Sequence, residues 1–135
     1  MSPAKQDVMH GVDLQEAALE KARALARAVG ESPSFKAFEA AQEALMADRE
    51  VNRRLQAFQR RQQEVRFARA WGGGDPAQEA ALEEEWRTLS RTATLQAYLR
   101  AQEQLRDILR VVAGMISQEI GIDYGAACSP AGGCC

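Results

Sequence analysis

Three cysteines, Cys128, Cys134 and Cys135, are the only thiols in this 135-residue chain, and all lie in its last eight residues, "CSPAGGCC". Thiolates are soft ligands that select zinc, copper(I) or iron–sulfur clusters, and such clusters are usually held by four cysteines. One chain is a ligand short, so the fourth would come from a partner, a second copy or a small molecule. The bland alternative is a chain end whose thiols hold nothing. A disulfide fits less well, because adjacent Cys134 and Cys135 pair with poor geometry. A terminal Cys-Cys also resembles a prenylation signal, but no phosphate-cradling loop accompanies it.

The second stretch with chemical capacity is basic. Between Arg49 and Arg69 stand seven arginines against two glutamates, Glu50 and Glu64. Arginine presents planar, bidentate donors to phosphate, which makes Arg53, Arg54, Arg60 and Arg61 candidate contacts for RNA or an acidic partner. The competing reading is a solvated face whose charges are answered by Glu79, Glu83, Glu84 and Glu85 across the "GGG" turn. A third feature is glutamine at seam positions 42, 62 and 102. Buried, these residues would fix register at some cost in stability; at a helix edge they simply reach solvent. No catalytic set is legible. His10 is the single histidine, and neither a Ser/His/Asp group, HExxH nor a phosphate loop occurs, so an enzyme is not expected.

These residues must be positioned by helices. The chain holds 25 Ala and 12 Gln but only 14 Val, Ile and Thr together, and straight side chains lose little entropy in a helix whereas β-branched ones do. Residues 1–12 read as a flexible lead-in, 13–122 as the helical domain and 123–135 as a flexible tail. Asp13 with Glu16 resembles a capping box opening a helix with the stripe Leu14, Ala18, Leu25 and Val29. Ser32 caps the next, with Pro33 at its first position and Phe35, Phe38, Gln42 and Leu45 on one seam. Asp48 predicts a kink, then a long helix to about Trp71 with the seam Val51, Leu55, Phe58, Gln62 and Val65. "WGGGDP" breaks it, and a helix through Leu82, Trp86 and Leu89 follows. After "SRTAT", with Thr92 or Thr94 as cap, the last helix carries Leu95, Tyr98, Gln102, Leu105, Leu109, Val112 and Ile116. Gly121 stops it, with Ile122 expected to fold back on the final turn.

Segments 35–45 and 95–105 share A-[FY]-x-x-A-Q-E-x-L at an offset of 60. A duplicated hairpin and the general likeness of Ala/Glu/Leu helices both account for it. Steps of three and four imply long helices lying nearly antiparallel, an all-α hairpin or bundle. Its seams are thin, and a two-fold dimer would cover them. The expected oligomer seam is Phe35, Phe38, Leu55, Phe58, Tyr98, Leu105, Leu109 and Val112. The net charge of −2 selects no class of partner. Neither a membrane span nor a secretory h-region is present, so a cytoplasmic, reducing address is expected.

The order "ESPSFKAFEAAQEALMAD", a Gln/Arg-rich helix, a Gly break and "YLRAQEQLRDILRVVAGMISQEIGIDYG" resembles the YlbF/YmcA family over about residues 12–125. Arg49 stands where the family pattern has Pro after Asp48. The resemblance implies a non-enzymatic helical-hairpin dimer that assembles with paralogues and a PSP1-domain protein. That assembly influences RNase Y and messenger-RNA processing, and through them competence, sporulation and biofilm formation. It also implies Cys128, Cys134 and Cys135 as iron–sulfur ligand candidates, although other members lack these cysteines. Two further functions fit the residues alone: direct RNA binding by the arginine helix, and thiol-based redox or metal trafficking by the tail.

Overall fold

A computed structural model describes residues 3–127, with side chains from Asp13 to Ala126. The described residues are all helix and connection, with no strand: α1 (Pro3–Glu31), α2 (Pro33–Ala47), α3 (Arg49–Ala70), α4 (Pro76–Leu89), α5 (Ala93–Ile120) and the short α6 (Tyr124–Ala127). The chain divides into two units, one running to Lys36 and the other beginning at Ala37.

In the first unit, α1 begins ahead of the expected start. Asp13 lies inside the helix instead of capping it, because nothing before it forces the backbone out of helical geometry. Pro3 takes a first-turn position where its missing N–H costs nothing. The junction at Ser32 forms as its sequence predicts. The Ser32 hydroxyl donates to the Val29 carbonyl at 2.6 Å and accepts from the Phe35 amide at 3.2 Å, closing one helix and opening the next.

In the second unit, α2 and α3 are separated by the single residue Asp48. One carboxylate oxygen of Asp48 accepts from the Val51 amide at 3.1 Å, an N-cap for α3. Asn52 secures the other side of the break. Its side-chain amide lies within donating distance of the carbonyls of Leu45 (2.7 Å), Met46 (3.2 Å) and Asp48 (2.9 Å), adding to the backbone bonds that the Leu45 and Asp48 carbonyls already accept from Asp48 and Asn52. The bend thus forms with Arg49, not a proline, after Asp48.

The other Asp48 oxygen accepts from the Thr94 hydroxyl at 2.7 Å, tying this bend to the first turn of α5. Thr92 takes the N-cap position of α5, but its hydroxyl donates back to the Leu89 carbonyl, so Thr94 performs a different task from the expected cap.

Asp75 caps α4 with Pro76 behind it. The three-glycine turn reverses the chain, with Gly72 at φ 79°, and α4 returns along α3. Phe58 meets Trp86 (ring centroids 5.3 Å), Arg61 pairs with Glu85 at 2.8 Å, and Arg69 pairs with Glu79 at 3.1 Å. The core sits around the two bends: Leu45, Val51, Phe58, Leu89 and Leu95, with Leu55, Leu82, Tyr98 and Leu99 packed partly against it. Among the described residues only Leu89 is wholly sealed, at 0% exposure.

Gly121 ends α5 at φ 74°, its amide donating to the Ser117 carbonyl at 2.9 Å. Ile122 does not fold back and stays 60% exposed. The Ser117 hydroxyl instead takes the Tyr124 amide at 3.0 Å, so this single polar side chain serves both the end of α5 and the start of α6.

Candidate interaction surfaces

The expected thiol site, Cys128, Cys134 and Cys135, lies outside the described residues, as does the side chain of His10. Among the described residues no group of three His, Cys, Asp or Glu side chains converges to hold a metal. No helix among them is long and apolar enough to cross a membrane.

A groove of about 620 Å³ is bounded by α3, α4 and the start of α5. Leu55, Phe58, Leu82, Trp86, Tyr98 and Leu99 make it apolar, and Gln59, Gln62, Glu79 and Glu83 add polar groups. Gln62 thus belongs to the groove, in keeping with the edge reading of the seam glutamines. Gln42 is exposed and Gln102 half-buried. A hydrophobic floor with a polar surround is the usual anatomy of a surface that receives another side chain or helix.

The expected oligomer seam divides. Phe58 belongs to the core, with Leu55 and Tyr98 packed against it. Phe38 meets the Tyr98 ring at 5.4 Å, which brings corresponding positions of the two echoed segments together. Phe35, Leu105 and Val112 are half-buried, while Leu109 is exposed. The outer half of α5 adds Val111 and Met115, 63% and 62% exposed, and Ile120. At 100° per residue, its apolar positions from Leu105 to Ile120 sweep about half the circumference, wider than the roughly 100° stripe one neighbour requires.

The four arginine candidates do not share a face. Arg61 turns to Glu85 on α4, as the acidic-complement reading expects, and Arg54 lies half-buried on that same side. Glu83 and Glu84 are engaged by Arg87 on their own helix and do not answer α3. Arg53 and Arg60 point outward. Arg53 holds Glu50 at 2.8 Å, and its hydrogen bond and charge draw the Glu50 carboxyl below its ordinary range while raising Arg53. Asp48 is lowered too, first by the Thr94 hydroxyl and then by the Val51 amide, both of which favour the carboxylate over the neutral acid. Sequence reading missed Asn52 and the bond from Thr94 to Asp48. Asx and Thr side chains after a predicted break were the available signal, since they compete for backbone groups where a helix is interrupted.

Residues 18–121 match the family described as "Control of competence regulator ComK, YlbF/YmcA". The chain is 34% identical over 121 residues to the UPF0342 protein of Desulfitobacterium hafniense (strain Y51), covering 86% of this chain and 90% of that relative. No solved structure matches it. A family match across most of the folded chain and a full-length relative, joined to an all-α architecture with its bend at Asp48, lead to one assignment: the chain belongs to the YlbF/YmcA family of competence regulators.

Proposed function

We propose that the chain is a non-enzymatic adaptor, assembling with a second copy or a paralogue and with a PSP1-domain protein to modulate RNA processing by RNase Y. The observation that carries this reading is the excess of apolar surface over core. The groove floor and the broad apolar arc of α5 both offer more hydrophobic area than the described helices of the second unit cover. Surfaces of this kind are typical of chains completed by other proteins. Membership in a regulatory family supports the same direction.

The cysteine tail fits an iron–sulfur cluster in the kind of donor it offers and falls short in number. Three thiolates would be ligands, and a fourth must come from another molecule in the assembly. When bound, such a cluster would supply redox sensitivity; Cys128, Cys134 and Cys135 would serve to hold it. The test is an anaerobic pull-down with RNase Y and candidate partners, read by iron and sulfide analysis and by sedimentation. The full chain is compared with one ending at Gly125. Partner capture by both chains, with iron retained only by the full one, is the expected result. A full chain that sediments as a monomer at micromolar concentration and captures neither paralogue nor RNase Y would overturn the adaptor reading. Iron-free, colourless material in a captured assembly would overturn the cluster alone.

A further inference from the structure

The arginine helix has an outward face that the adaptor reading leaves unused. Taking 100° per residue, Arg49, Arg53, Gln56, Arg60, Gln63 and Phe67 fall within about 40° of one line along α3. Trp71, at the helix end, continues it. All seven are exposed. The line lies opposite the side that buries Val51 and Phe58, so the fold itself turns these residues to solvent.

Three physical features coincide on this face. The first is cationic donors: Arg49 and Arg60 make no ion pair among the described residues. Arg53 grips Glu50 through Nε and Nη2, which leaves Nη1 outside that pair. The second is a depression of about 450 Å³ at the start of the line, formed by Met46, Arg49, Asn52, Arg53 and Gln56. The third is an aromatic pair at the other end. Phe67 and Trp71 are 67% and 78% exposed, with ring centroids 6.0 Å apart. From Arg49 to Phe67 the line runs about 27 Å at about 1.5 Å per residue.

The geometry points to a track for single-stranded nucleic acid, with the arginines and glutamines on phosphates and the Phe67–Trp71 pair stacking on unpaired bases. Arginine matches phosphate geometry, and aromatic faces stack on any base without reading its identity. A duplex hides its base faces, leaving the aromatic pair without a role. An acidic peptide would satisfy the arginines but also leave two large exposed rings unexplained. Glu50 and Glu64 beside the line weaken its field, and the affinity is correspondingly modest and salt-sensitive. This inference does not depend on the adaptor reading, since assembly and nucleic-acid binding are measured separately.

The test is fluorescence anisotropy of the full chain with labelled single-stranded RNA, single-stranded DNA, the matching duplex and polyglutamate, across a salt series. Single strands should bind more tightly than the duplex. The two single-stranded arms show whether the sugar matters. The double change Arg49→Gln, Arg60→Gln should lower the log–log salt slope by about 1.4, at roughly 0.7 per phosphate contact. The change Phe67→Ala, Trp71→Ala should weaken binding roughly 5- to 150-fold per stacked base. The change Phe67→Tyr, Trp71→Tyr should restore it, and helicity and sedimentation should be unchanged in all variants. Preference for polyglutamate or the duplex, no binding of either single strand, or binding indifferent to both sets of changes would overturn the proposal.

Discussion

The contact between Thr94 and Asp48 joins two helix junctions far apart in sequence, and its chemistry makes the joint sensitive to acid. Asp48 has a folded value below the ordinary aspartate range, so the stability it contributes is present above the unfolded value and lost as pH falls through the folded one. Thr94→Val removes the first cause of that depression. The variant should therefore melt a few degrees below the parent at pH 7, with the gap narrowing from about pH 4 downward as Asp48 is protonated. Melting followed by circular dichroism at pH 7 and pH 3 checks this, and an equal gap at both would contradict it. Asn52→Ala removes the side-chain donor from the Leu45 and Met46 carbonyls, while the Leu45 carbonyl keeps its bond from the Asp48 amide. A loss of about 0.5–1.5 kcal/mol is expected, the net worth of an ordinary hydrogen bond, because the acceptors keep a backbone donor or reach water. Urea unfolding measures it, and a loss below experimental error would mean that water replaces the side chain without penalty.

At the level of helices, the boundaries that were readable are those written in local hydrogen-bond chemistry. Ser32 before Pro33, Asp48, Asp75 before Pro76 and Gly121 each satisfy backbone groups within a few residues of themselves, so a short window contains the whole cause. Where the cause is not local, reading fell short. The start of α1 at Pro3 has no stop signal after it to mark Asp13 as interior. Ile122 was expected on the last turn, but Ser117 bonds the Tyr124 amide across that end and draws the chain elsewhere. The division of the arginines between two faces follows from angular position around α3, which composition does not reveal. The outward stripe was likewise concealed, because Phe67 and Trp71 lie where the helix was expected simply to finish. Two substitutions test these elements. Gly121→Ala places a side chain at φ 74° with open space around it, so only backbone strain is felt, about 1–2 kcal/mol. Leu89→Ala empties a fully sealed position and should cost about 2–5 kcal/mol. If the glycine change proves the more harmful, the core assignment around Leu89 is wrong.

For the molecule as a whole, the small core sets the behaviour. Apolar side chains such as Val111 and Met115 stand in solvent while few others are sealed away, so the proposed assembly should contribute to the melting temperature, which then rises with protein concentration. Replacing Leu109 and Met115 together by Glu should lower the sedimenting mass and abolish that dependence, while leaving helicity at high concentration nearly intact. Sedimentation velocity over a hundredfold dilution series reads both, and an unchanged mass would remove this face of α5 from the interface.

The bend between α2 and α3 has one more implication. A proline at residue 49 would forbid an unbroken helix permanently, whereas Arg49 keeps its amide hydrogen and the bend rests on hydrogen bonds from Asp48 and Asn52 and on the packing of Leu45 and Val51. With 15 residues on one side and 22 on the other, a straightened rod would measure about 55 Å. The bend is thus held by bonds that can be exchanged, where a proline ring would make it permanent.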